Sequence, residues 1–90
     1  MKTVLVAIKD KKSEIGNVYE MQNEGVAVRD FGQTVMRPAP DGRVNMLKDF
    51  PEDYCLVVLG EYDHATGKIT SLEEPKVIAE ASQYAKAVKE

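Results

Sequence analysis

Two short runs are apolar on both of their alternating faces, and they fix what this chain can become. Thr3-Val4-Leu5-Val6-Ala7-Ile8 is one, and Tyr54-Cys55-Leu56-Val57-Val58-Leu59 is the other. A strand with one wet face alternates apolar with polar residues, whereas an unbroken apolar run of this length reads as an interior strand. The two runs are therefore expected side by side at the centre of one sheet. The second is followed by Gly60 and a polar turn, Asp63-His64-Ala65-Thr66-Gly67, which suits a type I turn with Asp hydrogen-bonding forward and Gly in the left-handed position. Lys68-Ile69-Thr70 is then a short antiparallel return.

The remaining elements follow from periodicity. Asn17 to Gln22 alternates, with Val18, Glu20 and Gln22 on one side and Tyr19 and Met21 on the other, as in a half-exposed strand. Asn23 is placed as a helix N-cap, with Glu24 in the first turn where negative charge suits the helix dipole. Ala27, Val28, Phe31 and Val35 recur at helical spacing and form a buried stripe, while Arg29, Gln33 and Arg37 share a stripe pointing away from it. Gly25 and Gly32 weaken this helix by roughly 1 kcal/mol each relative to Ala, and Pro38 and Pro40 end it. Residues 38–53 read as a surface loop. Ser71-Leu72-Glu73-Glu74-Pro75 reads as a helix start, leading into a final helix with Val77, Ile78, Ala81, Tyr84, Ala85 and Val88 inward and Lys86 and Lys89 near its C-terminus. The expected fold is one α+β domain spanning residues 1–90, in the order β-β-α-β-β-α. Its antiparallel or mixed sheet has about four strands, and two helices pack on one face.

Ninety residues hold one core and bury only about 60–65% of the unfolded surface, so a second copy is a common supplement to stability. A single cysteine, Cys55, excludes an internal disulfide and fits a reducing compartment. No apolar stretch approaches the roughly 18 residues needed to span a bilayer, so a cytoplasmic protein with no membrane partner is expected. Net charge is -3, but unevenly spread. Residues 1–50 carry eight Lys/Arg against seven Asp/Glu, and residues 51–90 carry four against eight. A local basic face would have to come from the N-terminal half, from Lys9, Lys11, Lys12, Arg29, Arg37, Arg43 and Lys48.

Motifs for catalysis or cofactors are missing. His64 stands alone in a turn, without the Cys or His partners a zinc site requires, and reads as an exposed turn residue. Cys55 opens an apolar strand and reads as a small core residue. Glu52, Asp53, Glu61 and Asp63 match no calcium loop, and the six glycines form no phosphate cradle. No enzyme, cofactor or metal site is expected. Single-strand binding combines cations for phosphates with aromatics for bases. Of the six aromatics, Phe31 and Tyr84 fall on core stripes, and Tyr19, on a half-exposed strand beside a lysine-bearing connector, is the best stacking candidate.

Several segments together resemble a known family: the N-terminal strand; Ala27-Val28-Arg29-Asp30-Phe31 in an Asn-initiated helix; Pro51-Glu52-Asp53-Tyr54; Leu59-Gly60-Glu61-Tyr62-Asp63; Thr66-Gly67-Lys68-Ile69; and a proline-started final helix. The pattern is similar to the small nonstructural protein of gokushoviruses, tailless single-stranded-DNA phages of the Microviridae. The resemblance implies a nonstructural bacteriophage protein in the cytoplasm of the bacterial host, described as DNA-binding and acting in single-stranded genome synthesis or packaging. It brings no binding residues with it. On that expectation Arg29, Arg37 and Arg43 contact phosphates, helped by Lys9, Lys11 and Lys12, and Tyr19 stacks a base. A homodimer would pair two basic N-terminal faces and turn the acidic surfaces outward. The alternative is a protein-interaction module engaging the phage replication initiator, the procapsid or a host protein.

Overall fold

The structure, a computed structural model, describes residues 1–38 and 45–89, with side chains as far as residue 85. β1 (Lys2–Asp10) and β2 (Ile15–Met21) form a hairpin, and α1 (Glu24–Met36) follows. A single helical turn, α2 (Met46–Asp49), and a 3₁₀ turn at Pro51–Asp53 lead into β3 (Tyr54–Asp63), β4 (Lys68–Glu80) and α3 (Ser82–Lys89). The four strands make one antiparallel sheet in the order β2-β1-β3-β4. The expected α+β architecture is observed, with both doubly apolar strands at the centre. Arg43 lies outside the described residues, as do the side chains of Lys86, Val88 and Lys89.

The helices cover one face. Val4, Val6 and Ile8 of β1 and Leu56 and Val58 of β3 point up into Ala27, Phe31 and Val35 of α1 and Ala81 and Ala85 around α3. Asn23 caps α1 as expected, its Oδ1 accepting from the Val26 amide at 2.9 Å. The helix stops at Met36 because the residue before Pro38 is driven to extended backbone, and Arg37 sits at φ -68°, ψ 131°. Gly32 has a packing reason: a Cβ there would lie 2.7 Å from the Tyr84 ring, which seats against α1 and meets Phe31 edge-on at 6.1 Å.

Two expectations need correction. The segment Ser71–Pro75 does not begin a helix; β4 runs on as a strand to Glu80, and α3 starts only at Ser82. The acidic residues and early proline imitate a helix start, but Val57 and Val58 of β3 need a partner strand, and Val77 and Lys76 supply it. Pro75 is tolerated because β4 is an edge strand, where a missing N–H costs no ladder bond. The second half of the 38–53 segment is also ordered structure. Asn45 anchors it: its Oδ1 accepts from the Leu47 and Lys48 amides, while its Nδ2 donates to the carbonyls of Thr34 (3.2 Å), Val35 (3.3 Å) and Arg37 (2.7 Å). One side chain thus caps the end of α1 and the start of α2. The Asp63–Gly67 turn forms as expected, with Asp63 Oδ1 accepting from Ala65 N at 2.9 Å and Gly67 at φ 76°.

Gly60 marks the sharpest close approach. The register slips around Leu59 on both sides of β3, and β4 crosses so tightly that a Cβ on Gly60 would meet the Thr70 carbonyl oxygen and the Ser71 Cα. Gly60→Ala is expected to destabilise the protein by about 1–3 kcal/mol through overpacking against backbone, and Asn45→Ala by about 1–2 kcal/mol through loss of both caps. Urea melts of the two variants check this.

Candidate nucleic-acid interface

The pleat and the register sort the candidate residues onto separate surfaces. Tyr19 pairs with Val6, so it points to the helix side of the sheet. There it stands 51% exposed at the lip of a groove between β2 and α1. The groove has a volume of about 140 Å³, with Val6, Ile8 and Leu56 as floor and Phe31, Asp30 and Thr34 on the α1 wall. A drug-sized ligand wants about 300 Å³ or more; this space suits a single planar group. Thr34 Oγ1 donates to the Asp30 carbonyl at 2.9 Å, leaving its lone pairs and the exposed Asp30 carboxylate as acceptors along that wall. Arg29 is exposed on that helix, whereas Arg37, expected on the same stripe, is exposed just past its end on extended backbone; neither has a salt-bridge partner among the described residues.

The lysines are placed differently. Lys11 Nζ contacts Glu80 Oε1 at 2.7 Å, and this hydrogen bond raises the lysine pKa above its ordinary value. Lys12 Nζ lies 3.8 Å from Asp53 Oδ1. Both pairs tie the β1–β2 turn to the end of the sheet where β3 begins and β4 ends. Lys9 pairs with Cys55 and Ile15 and so projects from the opposite face of the sheet, the one without helices. The structure brings Tyr19 together with α1, and it separates Lys9, Lys11 and Lys12 from that group.

One cluster escaped the sequence reading. His64 is exposed, but its Nε2 lies 2.6 Å from Glu20 Oε2, which also accepts from Thr3 Oγ1 at 2.6 Å. An ionised carboxylate only accepts, so Nε2 carries the proton toward it. Tyr62 packs against the imidazole with ring centroids 4.5 Å apart. Glu20 and His64 are 44 residues apart, and no local pattern signals a contact across three strands. The hydrogen bond from Thr3, then that from His64, hold the Glu20 carboxyl below its ordinary value. Cys55 is the buried core residue expected; burial, then the nearby Glu80 charge, push its thiol pKa up. Among the described residues no three His, Cys, Asp or Glu converge as metal ligands, and no helix is long and apolar enough to cross a membrane.

A family model described as Phage ORF5 protein matches residues 3–84 of this chain. The chain belongs to that family. It is thus a bacteriophage protein, and the match covers all four strands except Lys2, and the whole of α1. No curated protein and no solved structure matches it.

Glu20 and Cys55 give two measurable consequences. A carboxyl with a depressed folded pKa adds stability that is present above its unfolded value, near 4.5, and is lost as pH falls through the lower folded value. Below about pH 4.5 the wild type is expected to lose stability more steeply than Glu20→Gln, as read from urea midpoints across an acid pH series. The Cys55 thiol of the native protein is expected to react with a disulfide reagent at pH 8 far more slowly than the same thiol in denaturant.

Proposed function

We propose that this member of the Phage ORF5 family is a non-enzymatic, nonstructural protein of the gokushovirus kind. It binds single-stranded DNA during genome replication or packaging in the host cytoplasm. The observation that carries the reading is Tyr19, exposed at the lip of a groove whose far wall is the helix that bears Arg29 and is followed by Arg37. Stacking on an exposed aromatic is sequence-tolerant and stabilises by about 1–3 kcal/mol per base. The guanidiniums of Arg29 and Arg37, without salt-bridge partners among the described residues, provide phosphate contacts, and Arg43 continues the same stretch of sequence. Asp30 and Thr34 offer acceptors to the amino edge of a base. Lys11 and Lys12 would have to leave Glu80 and Asp53 to help, so their share is the smaller one.

The expected measurement is fluorescence anisotropy of a labelled single strand, compared with duplex, at low and near-physiological salt. Binding is expected to favour the single strand and to weaken steeply with salt. Tyr19→Ala should cost about tenfold in affinity with little change in salt slope, whereas Arg29→Ala and Arg37→Ala should each reduce the slope by about one. Absence of binding at low salt overturns the reading.

A second reading is favoured by the helix-free face of the sheet. Its exposed valines suit a protein-interaction module engaging the replication initiator, the procapsid or a host protein, with affinity that barely responds to salt.

A further inference from the structure

The face of the sheet that carries no helix is apolar through its middle, although its strands are built for burial on both sides. The register places Val18, Ala7, Val57 and Val77 in one row across all four strands. Ala7 and Val57 are 0% and 1% exposed, shut in with Cys55 by their larger neighbours Ile15 and Leu59. The outer members of the row, Val18 and Val77, remain 55% and 51% exposed. Two residues further along β1 in one direction comes Lys9, which has no salt-bridge partner among the described residues. Two residues in the other direction comes Leu5, whose cross-strand neighbour is Glu20. The apolar row is therefore flanked by the Lys9 ammonium at one end and, at the other, by the Glu20 carboxylate, whose Oε2 is held by Thr3 and His64.

We infer that this face is covered by a second copy of the chain, packed sheet on sheet about a two-fold axis that runs along the Val18–Val77 row. Such an axis keeps each row valine against its counterpart and exchanges the two ends of the sheet, so Lys9 of each copy comes over Glu20 of the other. An axis parallel to the strands would instead keep the two Lys9-bearing ends together. A two-fold interface demands self-complementarity of this kind. Four strands at about 4.8 Å spacing and six residues at about 3.3 Å give a footprint of roughly 400 Å² per copy. That falls below the roughly 600 Å² per partner at the low end of specific interfaces, so the dimer is weak and dissociates on dilution. Both copies keep α1 and the Tyr19 groove on the outside, where the dimer presents two of them.

The test is sedimentation velocity of the full chain from about 1 to 200 µM, a range that brackets micromolar affinities. The wild type is expected to move from monomer to dimer across this range. Val18→Lys and Val77→Lys, both at exposed positions, should stay monomeric while retaining the wild-type circular dichroism and melting temperature. The charge pair gives the stricter result. Lys9→Glu alone and Glu20→Lys alone should each weaken the dimer at least tenfold, and mixing the two variants should restore it, because both contacts in the mixed dimer become opposite in sign. A wild type that stays monomeric at 200 µM, or a dimer unaffected by the valine substitutions, overturns the inference. Failure of the mixed pair to recover overturns the end-exchanging axis. Neither result bears on DNA binding, which is read on the other side of the sheet.

Discussion

The pairing of β1 with β3 is the constraint from which the other elements take their places. These strands run antiparallel from Lys2 opposite Asp63 to Asp10 opposite Tyr54, and each is apolar on both faces. A strand of that kind cannot sit at an edge without leaving two apolar surfaces wet, so β2 and β4 are obliged to flank the pair. Because Val4, Val6, Leu56 and Val58 all emerge on one side, α1 and α3 are drawn to that side. The register also decides which side chains are neighbours. It puts Thr3 and Glu20 within hydrogen-bond reach, and it turns Tyr19 toward the helices while Lys9 faces the other way.

The same pairing explains why the two surfaces of the sheet differ. The chain owns enough helix to cover one face only. On that face the gap between β2 and α1 leaves a small groove beside an exposed aromatic. On the other face, small residues in the central strands are shut in by the branched side chains around them, and the outermost valines stay wet. The surfaces proposed for DNA binding and for self-association lie on opposite sides of the sheet, so the two proposed interactions would not compete. A protein of net charge -3 that contacts phosphates needs its cations gathered locally. Arg29 on α1 and Arg37 just after it stand without acidic partners among the described residues, whereas Lys11 and Lys12 are held by Glu80 and Asp53, joining the β1–β2 turn to the sheet.

Much of the fold was legible because its signals are local. The double-faced apolar runs named the central strands, the alternation of Val18, Tyr19, Glu20 and Met21 assigned faces to β2, and Asn23 and Pro38 bracketed α1. The misreading at Ser71–Pro75 arose where a local signal met a stronger non-local one. Acidic residues before a proline favour a helix start by a few tenths of a kcal/mol to about 1 kcal/mol, while leaving β3 without its second partner would strand a row of buried backbone groups at higher cost. Asn45 was hidden for a related reason. Its value lies in bridging two helix ends, and a sequence shows only one of them at a time.

By itself the sequence determined the types of β1, β2, α1 and β3, the centrality of β1 and β3, the burial of Cys55 and the outward position of Arg29, because each depends on neighbours within a turn or two along the chain. Only the tertiary structure decided that Glu20, Thr3 and His64 meet, that Tyr19 borders a groove with α1, that Lys11 and Lys12 are held by Glu80 and Asp53, and that one apolar face stays open. Those outcomes rest on register and on which side of the sheet the helices cross. A shift of one residue would send each of these side chains to the other face, and composition is blind to such a shift.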